Sequence, residues 1–420
     1  MSKKIIKKYK PDVVGITGSV GKTTAKEAIA AVLENKFIVR RSTKNYNNEI
    51  GLPLTIIGLE KTPGKSILGW VAAMLKAKKL IFKRDKNYPE VLVLEMGADK
   101  PGDIEYLTDI APCKVGVLTF ISHAHTEFFK TLKKIAQEKR IIISHLRQDG
   151  FAVLNFDNEM VMQSVSTTKA EVITYGFKDG ADLRATDVNI LKDEKTGWPT
   201  GLNFKILYKG NVVPVFLHGV IAKSAVYAAL SGLAVGTIFG VNLVDGAQAL
   251  GKIKWPAGRM RLIPGIKNTL IIDDTYNSSP DAAKIALEAL AQVEIKAGGE
   301  RWVVLGDMLE LGSETENAHR ELGFKVAELG VDNLLTVGEA AKHIATSARE
   351  AGLDEHRIAS FADSAAAGLF LQEKLKPGDV VLAKGSQGAR MEKVVKELMA
   401  EPLRAENLLV RQDSLWLNKS

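Results

Sequence analysis

VVGITGSVGKTTAKEAIAAVLE, residues 13–34, decides the architecture of the chain. The β-branched run at 13–17 reads as a buried strand. A turn follows at once (Thr17, Gly18, Ser19, Val20, Gly21), and helical spacing runs from about Lys22 to Glu34. In that order the elements form an anion cradle. The glycines let backbone amides close round phosphate oxygens, and the helix N-terminus adds positive potential. Lys22 is placed to reach the terminal phosphates of a nucleotide and Thr23 to ligate Mg²⁺, with Thr24 closing the TGSVGKTT segment. The strict P-loop spelling has glycine five positions before Gly21, where this chain has Ile16. A purely structural glycine turn is the bland alternative, but strand, turn, GKT and helix together point to nucleotide binding.

Working outward, short apolar runs alternate with helical stretches: VLVLE (91–95), VGVLT (115–119), FAVLN (151–155) and EVITY (171–175). Such alternation implies a mostly parallel sheet. Residues 182–218 carry alternating β-type runs without a helix signal and read as a small antiparallel addition. Proline and glycine cluster in KWPAGRMRLIPG (254–265), and a second α/β series follows: TLIID, WVVLG, NLLTV and VVLAKG. The expected fold is therefore α/β: a central P-loop-type domain over 1–258 and a C-terminal Rossmann-like domain over 259–420. The central domain would hold an insertion at about 61–88 and the β-rich part at about 182–218.

Composition narrows the function classes. With 420 residues the chain is long for one core, and its 46% apolar and 25% charged residues are ordinary for a globular protein. A single cysteine, Cys113, rules out an intramolecular disulfide and suits a reducing, cytoplasmic setting. The basic N-terminus runs into a glycine loop without a signal peptide's long apolar region. Net charge is +8. No aromatic-interleaved basic sheet or zinc-finger spacing accompanies it, so phosphorylated small molecules are expected as partners and nucleic acid is not. The stretch SILGWVAAMLKAKKLIFKR (66–84) is too interrupted by lysine to span a bilayer. An ordinary surface helix and a weak peripheral membrane contact both fit it. A monomer is expected.

Several strand ends carry chemistry. Glu95 closes an apolar strand beside the phosphate loop, where a carboxylate can hold a second Mg²⁺; alone, such a glutamate is more often a solvated end residue. In SHAHTEFFKTLKKIAQEKRIII (122–143), His125 and Lys139 stand out only as part of the constellation. In DDTYNSSPDA (273–282), Asp274 and Asn277 are suited to a ribose or an adenine edge. Ser279 before Pro280 equally fits an ordinary helix cap. Arg259 is a boundary-borne cation for a γ-phosphate, or merely a surface ion-pair partner. KGSQGARMEKV (384–394) offers Lys384 and Ser386 to a substrate carboxylate, or is a plain strand-helix turn.

Taken together the motifs resemble the Mur ligase family, in particular its D-alanyl-D-alanine-adding branch. TGSVGKTT is similar to that family's ATP loop, and NYNNEIGLPLT (45–55) to its asparagine-rich substrate loop, which implies substrate contacts for Asn45, Asn47 and Asn48. EMGADKPGDI resembles the metal-glutamate segment, and HAHTEFF followed by EKRI the segment with a metal-binding histidine and a carbamylated lysine. DDTYNSSPDA, VLGDMLELG and KGSQGARMEKVV resemble the C-terminal signatures. The resemblance implies an ATP- and Mg²⁺-dependent amide ligase of peptidoglycan precursor synthesis, ADP-forming, joining a carboxylate to an amine such as D-Ala-D-Ala. It implies metal contacts for Thr23, Glu95, His125 and Lys139, ATP contacts for residues 17–24, Asp274 and Asn277, and catalytic roles for Lys22, His125, Lys139 and Arg259.

Two departures qualify it. The family's ATP loop follows a domain that binds a UDP-sugar, whereas here the loop starts near residue 17, so either UDP recognition is lost or the acceptor is carried differently, on a lipid or another polymer. Ser224 and Ala225 stand where the family has His-Asn. A Mur-type ligase for a non-UDP acceptor, similar to folylpolyglutamate synthase or cyanophycin synthetase, is the alternative within the class. A P-loop kinase or regulatory ATPase, and a non-catalytic partner of a cell-wall complex, are readings outside it.

Overall fold

The structure, a computed structural model, describes residues 1–43, 46–122, 129 and 131–417. Two sheets organise it. The first has nine strands: β1 (Asp12–Thr17), β2 (Val39–Arg41), β3 (Val91–Glu95), β4 (Val115–Leu118), β5 (Phe151–Asn155), β6 (Glu171–Gly176), β7 (Leu183–Lys192), β8 (Pro199–Tyr208) and β9 (Asn211–His218). Their order is β2-β3-β1-β4-β5-β6-β7-β8-β9. Pairing is parallel from β2 to β7 and antiparallel across β7-β8-β9. The antiparallel part foreseen at 182–218 thus extends the parallel sheet. Its burial alternates along β9, with Val213, Val215 and Leu217 inward, as a sheet with one wet face requires.

Both faces of the parallel part are covered, so its strands read as unbroken apolar runs. One core combines Val14, Ile16, Val93 and Val117 with helix α2 (Lys22–Leu33) and the long apolar helix at Lys223–Ile238. The other combines Val13, Leu92, Leu94 and Leu118 with helices on the opposite side. Among these are α1 (Ser2–Tyr9), α3 (Gly51–Ile57), α4 (Ile67–Phe82), α5 (Asp103–Ile110) and α6 (Leu132–Ser144). Helix α4 occupies most of the stretch at 61–88.

The second sheet comprises β10 (Arg261–Gly265), β11 (Thr269–Asp274), β12 (Arg301–Gly306), β13 (Asn333–Val337), β14 (Ile358–Phe361) and β15 (Val380–Lys384), in the order β10-β11-β15-β12-β13-β14. Only β10 is antiparallel to its neighbour. Apolar clusters cover both faces, as in a doubly wound fold. The segment from Trp255 to Met260 links the sheets. Its Gly258 adopts φ +68°, and a Cβ there would lie 2.8 Å from the amide of Tyr276, so the linker presses against the start of the second half.

Candidate active site

The carboxyl ends of β1, β3 and β4 lie side by side. Ile16 is in register with Glu95, and Thr17 with Leu118. The loop between β1 and α2 is clamped onto the segment after β4. Ser19 donates its amide to the Phe120 carbonyl at 2.6 Å and its hydroxyl to the Ser122 carbonyl at 3.0 Å. The Thr119 hydroxyl donates to the Val20 carbonyl at 2.7 Å. Gly18 sits at φ +151°, with the Thr119 Oγ1 2.0 Å from where a Cβ would stand. That position admits only glycine. The result is a preformed anion cradle at the N-terminus of α2.

Five side chains read from the sequence converge on it. Lys22 Nζ folds back over the loop and donates to the Gly18 carbonyl at 2.6 Å. Burial lowers its pKa; Arg259 adds to the lowering, and Glu95 and Asp99 oppose it. Thr23 Oγ1 donates to Glu95 Oε2 at 3.0 Å, and Asn47 Nδ2 donates to Glu95 Oε1 at 3.2 Å. Lys139, 2% exposed, lines the same cleft. Burial, reinforced by Lys22, takes its pKa down to about 7 against the pull of Glu138 and Asp99. Glu138 itself turns away: its carboxylate accepts from the amides of Gly102 and Ile104, both at 2.8 Å, and so caps α5.

The second half completes a cleft of about 370 Å³. Arg259 reaches it from the linker, its guanidinium stacked over the Tyr276 ring at 4.0 Å. Its Nε is buried and makes no hydrogen bond among the described residues. Asn277, Ser278, Ser279 and Gln387 line the same wall, and Asn48 lines the other. Ser279 precedes the helix at Pro280–Ala291 without a capping bond from its side chain.

Other predicted residues are placed elsewhere. Asp274 and Lys384 are cross-strand neighbours on β11 and β15, joined by a buried ion pair at 2.6 Å. Asp274 also accepts from the Met260 amide, and Lys384 donates to the Asn277 carbonyl. The pair braces the linker and the Asn277 loop rather than lining the cleft. Ser386 likewise ties loops together, accepting from the Leu309 amide at 2.9 Å. Thr24 is buried in the first turn of α2. His125 and Asn45 lie outside the described residues.

Sequence reading missed several members. Lys26, 1% exposed, stands 3.8 Å from Glu95 and reads in sequence as a solvated helix charge. A second cavity of about 490 Å³ opens beside Val20 and Gly21, walled by Phe120, Phe177 and Tyr227, with Asn155 at its edge. There Asp157 accepts from the Tyr227 hydroxyl at 2.8 Å and from the Phe177 amide at 2.7 Å. An apolar, aromatic slot next to a phosphate cradle suits a flat heterocycle. Ser224, at the position of the missing His-Asn, lines it. No local signal marks Asp157 and Tyr227, which are 70 positions apart.

As to a metal, Thr23 and Glu95 supply hard oxygen donors at the phosphate cradle, the donor type Mg²⁺ takes. No group of three His, Cys, Asp or Glu residues able to hold a metal occurs among the described residues.

A phosphate-binding sheet whose cleft is closed by a linker arginine and a second α/β unit defines a class of ligases. The pattern of the Mur ligase middle domain matches residues 16–68 and 71–235, that of the Mur ligase glutamate ligase domain matches residues 258–387, and the chain belongs to the Mur ligase family. It is an ATP-using ligase. Among its relatives is the UDP-N-acetylmuramoyl-tripeptide–D-alanyl-D-alanine ligase of Bacillus subtilis, 30% identical over 391 residues, which cover 93% of this chain and 76% of the relative. The enzyme of the same name from Escherichia coli is 29% identical, covering 92% and 76%. The MurF ligase of Thermotoga maritima in complex with ADP superposes with a TM-score of 0.75 at 29% identity, covering 94% of this chain and 81% of that one.

Proposed function

We propose that this chain joins D-alanyl-D-alanine to the peptide carboxylate of a UDP-N-acetylmuramoyl-tripeptide, in the synthesis of a peptidoglycan precursor. The observation that carries the reading is the convergence of Lys22, Glu95, Lys139 and Arg259 on one cleft, beside a cradle for a triphosphate. The names of the relatives supply the substrates.

In the first step the substrate carboxylate oxygen attacks the γ-phosphorus of ATP. The bond to the β–γ bridging oxygen breaks, ADP leaves, and an acyl phosphate forms. The amino group of D-Ala-D-Ala then adds to the acyl carbon, and the tetrahedral intermediate expels phosphate and loses a proton to give the amide. Two anions meet in the first step, so cations have to offset their repulsion. Lys22 does so from the loop and Arg259 from the linker, where its Nε, without a hydrogen-bond partner among the described residues, can donate. The base lies in the apolar cavity walled by Phe120, Phe177 and Tyr227. Thr23 and Glu95 would hold Mg²⁺, which would supply charge neutralisation at the phosphates. Lys139, with its pKa near 7, is available as the free amine, the form that adds CO₂ to become a carbamate with loss of a proton. Asn47 and Asn48 face the acceptor. The setting is cytoplasmic and the working unit a monomer.

Mass-spectrometric product analysis tests the reading. Purified protein, ATP and Mg²⁺ with UDP-N-acetylmuramoyl-tripeptide and D-Ala-D-Ala should give the amide, ADP and phosphate, with phosphate release requiring both substrates. Amide formed only with acceptors lacking UDP would overturn the acceptor assignment, and phosphate released without either substrate would overturn the ligase.

A further inference from the structure

We propose that helix α4 and the adjoining helix α1 form a docking surface for an anionic lipid bilayer. Helix α4 buries only Ala73, Ala77 and Leu80 against the domain. Its opposite side presents Leu68, Val71, Leu75 and Phe82, 81%, 47%, 59% and 83% exposed, at helical spacing along one outward stripe. Side chains of this size rarely stand together in water without a partner.

The helix is nonetheless fixed. Ser66 accepts from the Gly69 amide at its start, and Trp70 Nε1 donates to the Gly64 carbonyl. At its end, Lys8 donates to the carbonyls of Leu80 and Ile81, both at 2.8 Å, and the Tyr9 hydroxyl donates to that of Lys83. Helix α1 therefore satisfies the carbonyls that a helix C-terminus leaves unpaired, and it holds its own lysines beside α4.

Charge selects the occupant. Residues 1–10 and 61–86 together hold thirteen lysines and arginines against one aspartate, in a chain whose net charge is +8, so the remainder is net acidic. Lys78, Lys79 and Lys83 flank the apolar stripe and form no ion pair among the described residues. Two copies apposed through this face would bring like charges together, whereas an anionic lipid surface complements both the lysines and the apolar stripe. With 16 residues α4 is about 24 Å long, short of a bilayer's hydrocarbon core, and among the described residues no helix is long and apolar enough to cross a membrane. The helix lies along the surface.

Flotation of the full chain with vesicles provides the test. The protein should rise with phosphatidylglycerol-containing vesicles and stay behind with phosphatidylcholine alone. The double variant Leu75→Glu/Phe82→Glu should lose roughly tenfold or more of the binding while ligase turnover without vesicles and the melting temperature are unchanged. Tryptophan emission of the unaltered chain should be partly quenched by bromine-labelled anionic lipid, and Trp70→Phe, which removes the one tryptophan of α4 among the five in the chain, should lose that quenching. No binding to anionic vesicles at low salt, no quenching, equal binding by the double variant, or a dimer that the double variant dissociates would each overturn the proposal.

Discussion

Lys139 shows how far burial alone can carry a side chain toward chemistry. Its ammonium sits 2% exposed with Lys22 nearby, and its pKa falls from the ordinary 10.5 to about 7. Between those two values the unfolded chain keeps a proton that the folded chain has lost, so stability rises with pH across that window. Below about 7 both forms are protonated and the dependence disappears. Denaturant midpoints followed from neutral to alkaline pH should therefore rise in the parent protein. Lys139→Met, which carries no proton in either state, should remove that part of the slope while abolishing amide formation. A slope identical in the two proteins would show that Lys139 titrates as an ordinary surface lysine.

Elements rather than single side chains bring these groups into register. The phosphate loop keeps its shape because Gly18 passes within contact of Thr119, so Gly18→Ala forces a Cβ to 2.0 Å from that hydroxyl. Strain of about 1–3 kcal/mol at such a position should weaken ADP binding by roughly tenfold or more, measured by calorimetry, with the rest of the fold retained. Helix α5 depends on α6 in a comparable way: Glu138 caps its N-terminus, next in sequence to Lys139. Glu138→Ala should cost about 0.5–2 kcal/mol in a denaturant titration and lower turnover by shifting Lys139, whereas Glu138→Gln should retain part of both. At this scale the sequence is largely transparent. The strand-turn-helix at 13–34, the parallel series and the β-rich stretch at 182–218 follow from periodicity and glycine placement, because each is a local property. The joining of β7–β9 to the parallel sheet depends on edge pairing between distant segments, and no local pattern encodes it.

Across the whole molecule, two surfaces have to meet before a cleft exists, and legibility declines accordingly. Lys22 and Thr23 could be read because they open the helix that follows the loop, and Glu95 because it ends the neighbouring strand. Asp274 and Lys384 were read as ligand contacts, yet strand order places them opposite each other, 110 positions apart, and their buried pair instead fixes the linker. Arg259 depends on that brace. Met260 donates its amide to Asp274, Gly258 packs on the Tyr276 amide, and the Tyr276 ring carries the guanidinium at 4.0 Å. The arginine thus reports whether the two halves are correctly apposed, while the triphosphate cradle belongs to the first half alone. Arg259→Ala should consequently leave ADP affinity nearly unchanged and lower kcat by about 10²–10³-fold, the loss expected when one preorganised donor is withdrawn from a developing charge. Tyr276→Ala, which keeps the cation but removes its platform, should fall between this variant and the parent, and Arg259→Lys should recover little because a lysine lacks the planar group that stacks. Steady-state kinetics beside ADP titration separates these outcomes. A fall in ADP affinity matching the fall in kcat would mean that Arg259 grips the nucleotide in the ground state rather than at phosphoryl transfer.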